Sequence, residues 1–386
     1  MSDVVIVSAT RTPIGRAFKG SLVSKRPDDL VAGVVSAALQ KVPDLSRDEV
    51  EDFILGCAQP AGESGYNMAR VASLLAGLKD VPGTTVNRYC ASSLQAVRMG
   101  YHAIKAGEGH VFVAAGVETV SRFEKGKSDG MPETKNPRFS AEGTELSNIY
   151  MPMGETAERV AQNEDVSRLE MDEYACLSQT RASAAVEAGI FDHEITPVTL
   201  DDGTVVSRDD CPRPGTTVEK LSGLKPVFRE DGRVTAGNAC PLNDGAAAVV
   251  LMSGERAREL GVQPLARILS TGLSALNPEL MGLGPIDSSR QALARAGLTM
   301  EDVDLVEINE AFAAQVIPSA RHLGISWEKL NVHGGAIALG HPFGMTGARI
   351  LTTLLNGLTT HDKTIGLETL CVGGGQGMAL VVERLS

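Results

Sequence analysis

The segments VEDFILGCA (residues 50–58) and VDLVEINEA (303–311) share one pattern, an acidic turn and then a short apolar strand. The stretches downstream of the two copies also correspond. VNRYCASSLQAVRMG (86–100) stands at the place of NVHGGAIALGHPFGMTGAR (331–349), and HVFVAAGVE (110–118) at the place of KTIGLETLCVGGG (363–375). Identity is low, but the order holds throughout, as expected of one duplication carrying different loops. The chain therefore reads as two similar halves packed together.

Working outward, short apolar β-branched runs alternate with Ala-rich helical stretches. VVIVSA (4–9), FILGCA (53–58), VFVAAGVE (111–118) and AAAVVLM (246–252) read as strands of the first half. LARILSTGL (265–273), DLVEINEA (304–311), TIGLETLCV (364–372) and QGMALVVERL (376–385) read as those of the second. Between them, Asp28 to Leu39 has helical apolar spacing at Leu30, Val31, Val34, Val35 and Ala38. Alternating strands and helices predict an α/β layered fold. From about Ser121 to Cys240 the character changes to charged, Gly/Pro/Ser-rich loops around one helical stretch, MGETAERV…AAVEAG, with Gly189 as its stop. The expected division is a first half from 1–120 and 241–265, an inserted loop domain at 121–240, and a second half at 266–386. Long irregular insertions often bind substrate.

Composition excludes several classes. The chain has 386 residues, is 43% hydrophobic and 22% charged, and has no apolar run long enough for a membrane span. A formal charge of −12 argues against sequence-independent nucleic-acid binding but leaves room for a local basic patch around an anionic small ligand. MSDVVIVSATRTPIG is a polar start leading into a strand, without signal-peptide features, so a cytoplasmic location is expected. The six cysteines lie far apart with no C-x-x-C pair, which predicts free thiols, no disulfide framework and no metal site.

Two of the thiols sit where chemistry is expected. Cys90 comes after PGTTVNRY and begins a helix, where free N–H groups and the helix dipole favour thiolate over thiol. The alternative for Cys90 is a small buried hydrophobe. Cys371 ends a strand and enters GGGQG (373–377), whose backbone N–H groups can face a developing negative charge. A dinucleotide loop there is rejected, because no binding helix, strand and acidic residue come after it. Asn309, in NEAF (309–312), ends another strand and can hold a water or carbonyl, or act as an ordinary strand-end cap. Glu307 and Glu310 read as solvated charges. His341, in G-H-P, has a constrained direction and an ordinary pKa suited to proton transfer with a thiol.

The motifs VNRYCAS (86–92), NEAF (309–312), GGAIALGHP (334–342) and CVGGGQGMA (371–379), supported by VTAGNACPLNDGAAA (234–248) and MGLGPI (281–286), closely resemble those of the thiolase family over essentially the whole chain. The resemblance implies the thiolase fold, two βαβαβαββ halves in an αβαβα layering, and a coenzyme A-dependent acyl transfer with no permanent cofactor. It implies that Cys90 attacks a 3-ketoacyl thioester, that His341 takes its proton, and that Cys371 protonates the departing acetyl-CoA enolate. His341 with an Asn309-held water, and the N–H groups of Cys90 and Gly373, would stabilise the two thioester oxygens. Arg213 falls where the family contacts the nucleotide end of coenzyme A, though it reads equally well as a solvated loop arginine. Met153 and Phe312 match the apolar pocket, and Cys240 stands near the pantetheine. A homodimer or homotetramer is expected.

Three positions depart from the family pattern: Ser93 for a glycine, Cys240 for a serine, and His333 for an asparagine, the last read as a loop hydrogen-bonder. SRFEKGKSD, AGNACPLNDG and GHPFGMTGAR are most similar to the degradative branch, including bacterial enzymes that trim sterol side chains. The alternatives are an acetoacetyl-CoA-forming biosynthetic enzyme and a non-catalytic acyl-CoA or sterol carrier. A ketoacyl synthase is disfavoured by Cys371, and a thiol protease gains nothing from a second active cysteine.

Overall fold

The computed structural model describes residues 3–386; the first two residues of the polar start lie outside it. VVIVSATR forms strand β1 (Val4–Arg11), succeeded by the short β2 (Gly15–Arg16) and helix α1 (Pro27–Gln40). Pro27 occupies the first turn, where its missing N–H leaves no bond unmade, and Asp28 and Asp29 face the positive end of the helix dipole. Next come β3 (Asp52–Cys57), α2 (Met68–Leu75), β4 (Gly83–Val86), α3 (Ser92–Ala106) and β5 (Val111–Thr119). Gly107, in the left-handed conformation at φ 81°, ends α3.

The chain then runs through α4 (Met153–Asn163), α5 (Arg168–Glu187), a small ribbon of β6 (Val198–Thr199) and β7 (Val205–Val206), and α6 (Val218–Ser222). The single helical stretch expected at 153–189 is two helices. Asp165 takes φ 50°, and Ser167 starts a new helix through a capping box with Glu170. β8 (Asn243–Ser253) returns to the main sheet and α7 (Gly254–Glu259) leaves it. The second half comprises β9 (Ala266–Ala275), α8 (Gly284–Ala296), β10 (Leu305–Ile308), α9 (Ala313–Leu323), α10 (Ala336–Leu339), α11 (Thr346–Thr360), β11 (Ile365–Val372) and β12 (Gln376–Arg384).

The strand order is β10-β11-β12-β9-β1-β8-β5-β3-β4. Outward from its centre, the sheet repeats one series. β1-β8-β5-β3 and β9-β12-β11-β10 each run through two antiparallel pairings and then one parallel pairing. β4 completes the first series in parallel beside β3, and an isolated parallel bridge from Val306 to Leu330 marks the same place in the second. The halves meet where β1 pairs with β9 over only two residue pairs, Val5–Arg267 and Ile6–Ala266.

Strand alternation sorts the side chains into layers. On β5 and β8, Val113, Val117, Ala248 and Val250 face one core with α1 and α2. Their neighbours Phe112, Ala114, Val249 and Leu251 face a second core that holds Leu94 and Val97 of α3 and Ile350, Leu351 and Leu354 of α11. From the other side, Leu370, Met378 and Leu380 enter that same core, while Leu367, Ala379 and Val381 face a third with α5, α8 and α9. The order is helix, sheet, helix, sheet, helix, with α3 and α11 enclosed. β3 and β5 run parallel to each other, as do β10 and β11, and the loops that lead into α3 and α11 meet, since a Cβ on Gly347 would touch Leu94 and one on Gly116 the Gly344 carbonyl.

Candidate active site

Cys90 lies in the single turn Tyr89–Ala91 that leads directly into α3. Tyr89 adopts φ 42°, an uncommon conformation for a bulky residue. Ser92 pins this corner by accepting the Arg88 N–H at 2.9 Å and donating to the Tyr89 carbonyl at 2.7 Å. The sulfur then faces its own N–H and that of Gly373. Those groups favour thiolate, as the sequence predicts, but burial outweighs them and the thiol is pushed up to about 12. Resting Cys90 is a thiol that requires a base.

His341 is held in one orientation and one tautomer. Its backbone N–H is held by the Asn243 Oδ1 at 2.9 Å. Thr346, the first residue of α11, donates its hydroxyl proton to the Pro342 carbonyl at 2.8 Å. Its oxygen must then accept from His341 Nδ1, 2.6 Å away. This places the proton on Nδ1 and the lone pair on Nε2, which faces the Asn309 amide nitrogen at 3.3 Å. Burial, with the nearby Arg349 charge, lowers the imidazole to about 3, so it rests neutral and able to accept a proton. Asn309 Oδ1 has no protein partner, and its carbonyl takes Gln315 Nε2 at 2.6 Å.

Cys371 closes β11, fully buried against Met281 and Ala311, with Met153 and Phe312 packed on the same cluster. Burial raises this thiol well above its ordinary value, and Cys90 and Cys240 add to the effect, which places the three thiols near one another. The glycine run after it is a reversal, with Gly374 and Gly375 at φ 80° and 79°, and β12 begins at once. Cys240 arrives through a short antiparallel contact in which its N–H donates to the Ala311 carbonyl at 3.0 Å. Glu118, at the end of β5, accepts the N–H groups of Ala58 and Gly344 at 2.9 Å each, tying β3 to the GHPFG loop; burial pushes its carboxyl up to about 7.

Glu307 and Glu310 are not solvated, as the sequence suggested, but buried. Glu310 accepts from Tyr174 at 2.7 Å, Ser178 at 2.7 Å, Asn331 at 2.8 Å and the Ile337 N–H at 3.0 Å, which fastens the GGAIAL turn to α5. A Cβ at Gly335 would overlap this carboxylate, so the glycine is needed for close approach. Glu310→Ala leaves these donors unpaired and is expected to destabilise the fold by about 3 kcal/mol in urea unfolding.

His333 does not join His341. It stacks on His361 at 5.1 Å between ring centroids and meets the edge of Phe191 at 6.4 Å. Burial, with His361, lowers it to about 4. A depressed folded value gives stability that is present above pH 6.5 and is lost as pH falls towards 4. His333→Asn is therefore expected to gain on the parent over that window, by up to about 1.4 kcal/mol per pH unit in paired urea titrations.

An open cleft of about 630 Å³ between β1, β9 and the end of α11, lined by Lys41, Glu194 and Leu355, contains none of these residues. Among the described residues, no group of three or more His, Cys, Asp or Glu could hold a metal ion, and no helix is long and apolar enough to cross a membrane.

Comparison with known proteins agrees with the geometry. The family descriptions "Thiolase, N-terminal domain" and "Thiolase, C-terminal domain" match residues 4–255 and 262–384. The chain belongs to the thiolase family. It is 44% identical over 399 residues to a beta-ketoadipyl-CoA thiolase of Pseudomonas aeruginosa, with 99% of each chain covered. It is 44% identical over 398 residues to an acetyl-CoA acetyltransferase of Escherichia coli, with 100% of each covered. It is 43% identical over 394 residues to a 3-ketoacyl-CoA thiolase of Aeromonas hydrophila, again with 100% of each covered. The crystal structure of the Bacillus anthracis acetyl-CoA acetyltransferase superposes with a TM-score of 0.91 at 40% identity, covering 100% of this chain and 99% of that one. The fold is the thiolase fold, and the protein is an acyltransferase of that family.

Within this thiolase, Cys90 adjoins Gly373, Cys240 and Cys371, Cys371 packs with Met153 and Phe312, and Asn309 meets His341. Arg213 is exposed, and its backbone N–H is tied to Gln179 Oε1 at 2.8 Å. The Ser93 departure has a physical reason: its buried hydroxyl accepts the Ala348 N–H in the first turn of α11 at 2.9 Å, joining the two enclosed helices. Sequence reasoning missed Thr346, Asn243, Glu118 and Phe228. Thr346, Asn243 and Glu118 do lie within segments it had singled out. Phe228 meets Phe312 edge to face at 6.2 Å, and nothing in its irregular loop signals this.

Proposed function

We propose that this thiolase cleaves 3-ketoacyl-CoA with coenzyme A, through an acyl-Cys90 intermediate. The observation that carries this reading is a pair of neighbouring thiols, the partly exposed Cys90 and the fully buried Cys371, in a site that also holds a neutral imidazole, His341, against Asn309. Acyl transfer alone needs one thiol; breaking a carbon–carbon bond needs a second group to protonate the carbanion. His341 Nε2 takes the Cys90 proton as the sulfur attacks the keto carbon. The N–H groups of Cys90 and Gly373 stabilise the oxyanion formed there, and Asn309 with His341 stabilises the thioester enolate. Cys371 gives that enolate its proton, and the thiol of a second coenzyme A then takes the acyl group from Cys90. In reverse the same groups perform a Claisen condensation.

In this reading residues 121–240 are an inserted domain that shapes the substrate pocket, with coenzyme A at its mouth beside Arg213. Support comes from Met153 against Cys371, Ile149 beside the Gly374 turn, and Asp129, which accepts from the Tyr89 hydroxyl at 3.3 Å. The half-exposed Phe228 and Ile149 would suit a bulky acyl group such as a sterol side chain. A second reading, formation of acetoacetyl-CoA, is favoured by the acetyl-CoA acetyltransferases among the relatives. We further propose a cytoplasmic homodimer or homotetramer joined at β4. That strand ends the sheet, whereas the opposite edge, β10, is covered by the segment at Leu330.

Loss of 3-ketoacyl-CoA absorbance in the presence of coenzyme A tests the reading. Acetoacetyl-CoA, 3-ketoadipyl-CoA, a long straight-chain substrate and a sterol-side-chain substrate should be compared. Cleavage of the larger substrates supports the degradative reading. Turnover of acetoacetyl-CoA alone supports the biosynthetic one, and inactivity on all four with coenzyme A still bound leaves a carrier.

A further inference from the structure

Behind the site, each of its three supporting elements carries a buried charge. Glu307 lies two residues before Asn309 on β10, and Glu368 three before Cys371 on β11. Arg349 lies one helical turn after Thr346 on α11, the residue that orients His341. Glu307 and Glu368 are register partners across the parallel β10–β11 pair, so their carboxylates stand side by side. On β10 and β11 they share the face of Leu305 and Leu370, which packs on α11.

These are not ordinary structural ion pairs. None of the three Arg349 guanidinium nitrogens and neither Glu368 oxygen hydrogen-bonds a protein group, and Glu307 Oε2 is also unpartnered. Arg349 and Glu368 have no exposure and Glu307 has 3%. Apolar side chains of the same volume would often fill such a layer at no loss of stability. Charges kept there without local partners therefore call for a role in the site they adjoin.

We infer that Glu307, Glu368 and Arg349 form one positioning unit in which the two carboxylates share a single proton and Arg349 keeps His341 a neutral base. The inference rests on the proposed chemistry of His341. Two adjacent carboxylates facing one guanidinium in a low-dielectric layer do not both ionise. The surroundings supply no second cation. Arg11 is taken by Glu194 and Asp209, at 2.7 Å each. Glu310 adds another negative charge, and the half-buried Arg181 is committed to the carbonyls of Leu330 and Trp327. Consistently, burial pushes Glu307 up to about 8 and raises Glu368, and the Arg349 charge contributes to lowering His341.

Infrared difference spectroscopy on the whole enzyme, with variants, tests this. Beside the band of the partly protonated Glu118, the parent at neutral pH is expected to show one further protonated buried carboxylic acid that is lost in Glu368→Gln, where Glu307 ionises against Arg349. Arg349→Met is expected to double the signal, lower kcat about a hundredfold through misplacement of His341, and move the acid limb of the pH profile upward. Arg349→Lys should restore the parental limb. If Arg349→Met does not fold, the parent and Glu368→Gln spectra still decide. A parent spectrum with no acid band that Glu368→Gln removes, or an unmoved acid limb in a folded Arg349→Met, overturns the inference. Parental inactivity on every 3-ketoacyl-CoA would defeat the functional reading instead, leaving the infrared result to stand on its own.

Discussion

Replacing Cys90 with alanine is expected to lower 3-ketoacyl-CoA cleavage by at least about 10,000-fold while leaving the fold intact. The side chain holds the fold together only slightly. The corner is built by Ser92 and the left-handed Tyr89, and the residue is partly exposed. Its chemistry has no substitute. Cys371 is fully buried at the end of a strand, and Cys240 is set by a backbone contact on the other side of the pocket. Cys90→Ser should also be nearly inactive, because an alcohol is a far weaker acid than a thiol for a neutral imidazole to activate. Steady-state thiolysis, with circular dichroism to confirm folding, measures both variants.

The second large effect is a separation of steps. Cys371→Ala is expected to reduce carbon–carbon cleavage about 1,000-fold, since the enolate loses its proton donor. Acylation of Cys90 by a simple acyl-CoA needs no such donor and should persist within about tenfold of the parent. The position favours this role. Burial among Met281, Ala311 and Phe312 keeps the sulfur protonated at working pH, as an acid must be. Rapid-mixing acylation beside steady-state cleavage reads the two steps apart, and equal losses in both would remove Cys371 from the proton transfer.

The frame and the acid–base residues were legible because local signals and tertiary demands agree there. The β3 and β10 strands carry the same turn-then-apolar pattern, and the structure gives them equivalent places in two like series. Gly-His-Pro fixes a direction for His341 that the fold uses. What could not be read is what burial does. The position of Cys90 at a helix start predicts a thiolate, but desolvation prevails, and nothing in CASSLQA reports how deep the sulfur lies. Glu310 looks like a solvated charge because its partners Tyr174, Ser178 and Asn331 are distant in sequence. Alternation could have marked Glu307 and Glu368 as inward-facing, but a carboxylate in an apolar run is read as an interruption until its partner strand is known. The break at Asp165 was hidden because α4 and α5 are both strong helix formers joined without Gly or Pro.

The central claim is that the acyl group passes through Cys90. Brief exposure of the enzyme to acetyl-CoA, acid quenching and peptide mass spectrometry tests it most directly. One acetyl group on the peptide holding Cys90, removed on adding coenzyme A, is the predicted result; an acetyl group on Cys371 or Cys240 instead, with Cys90 unlabelled, contradicts it.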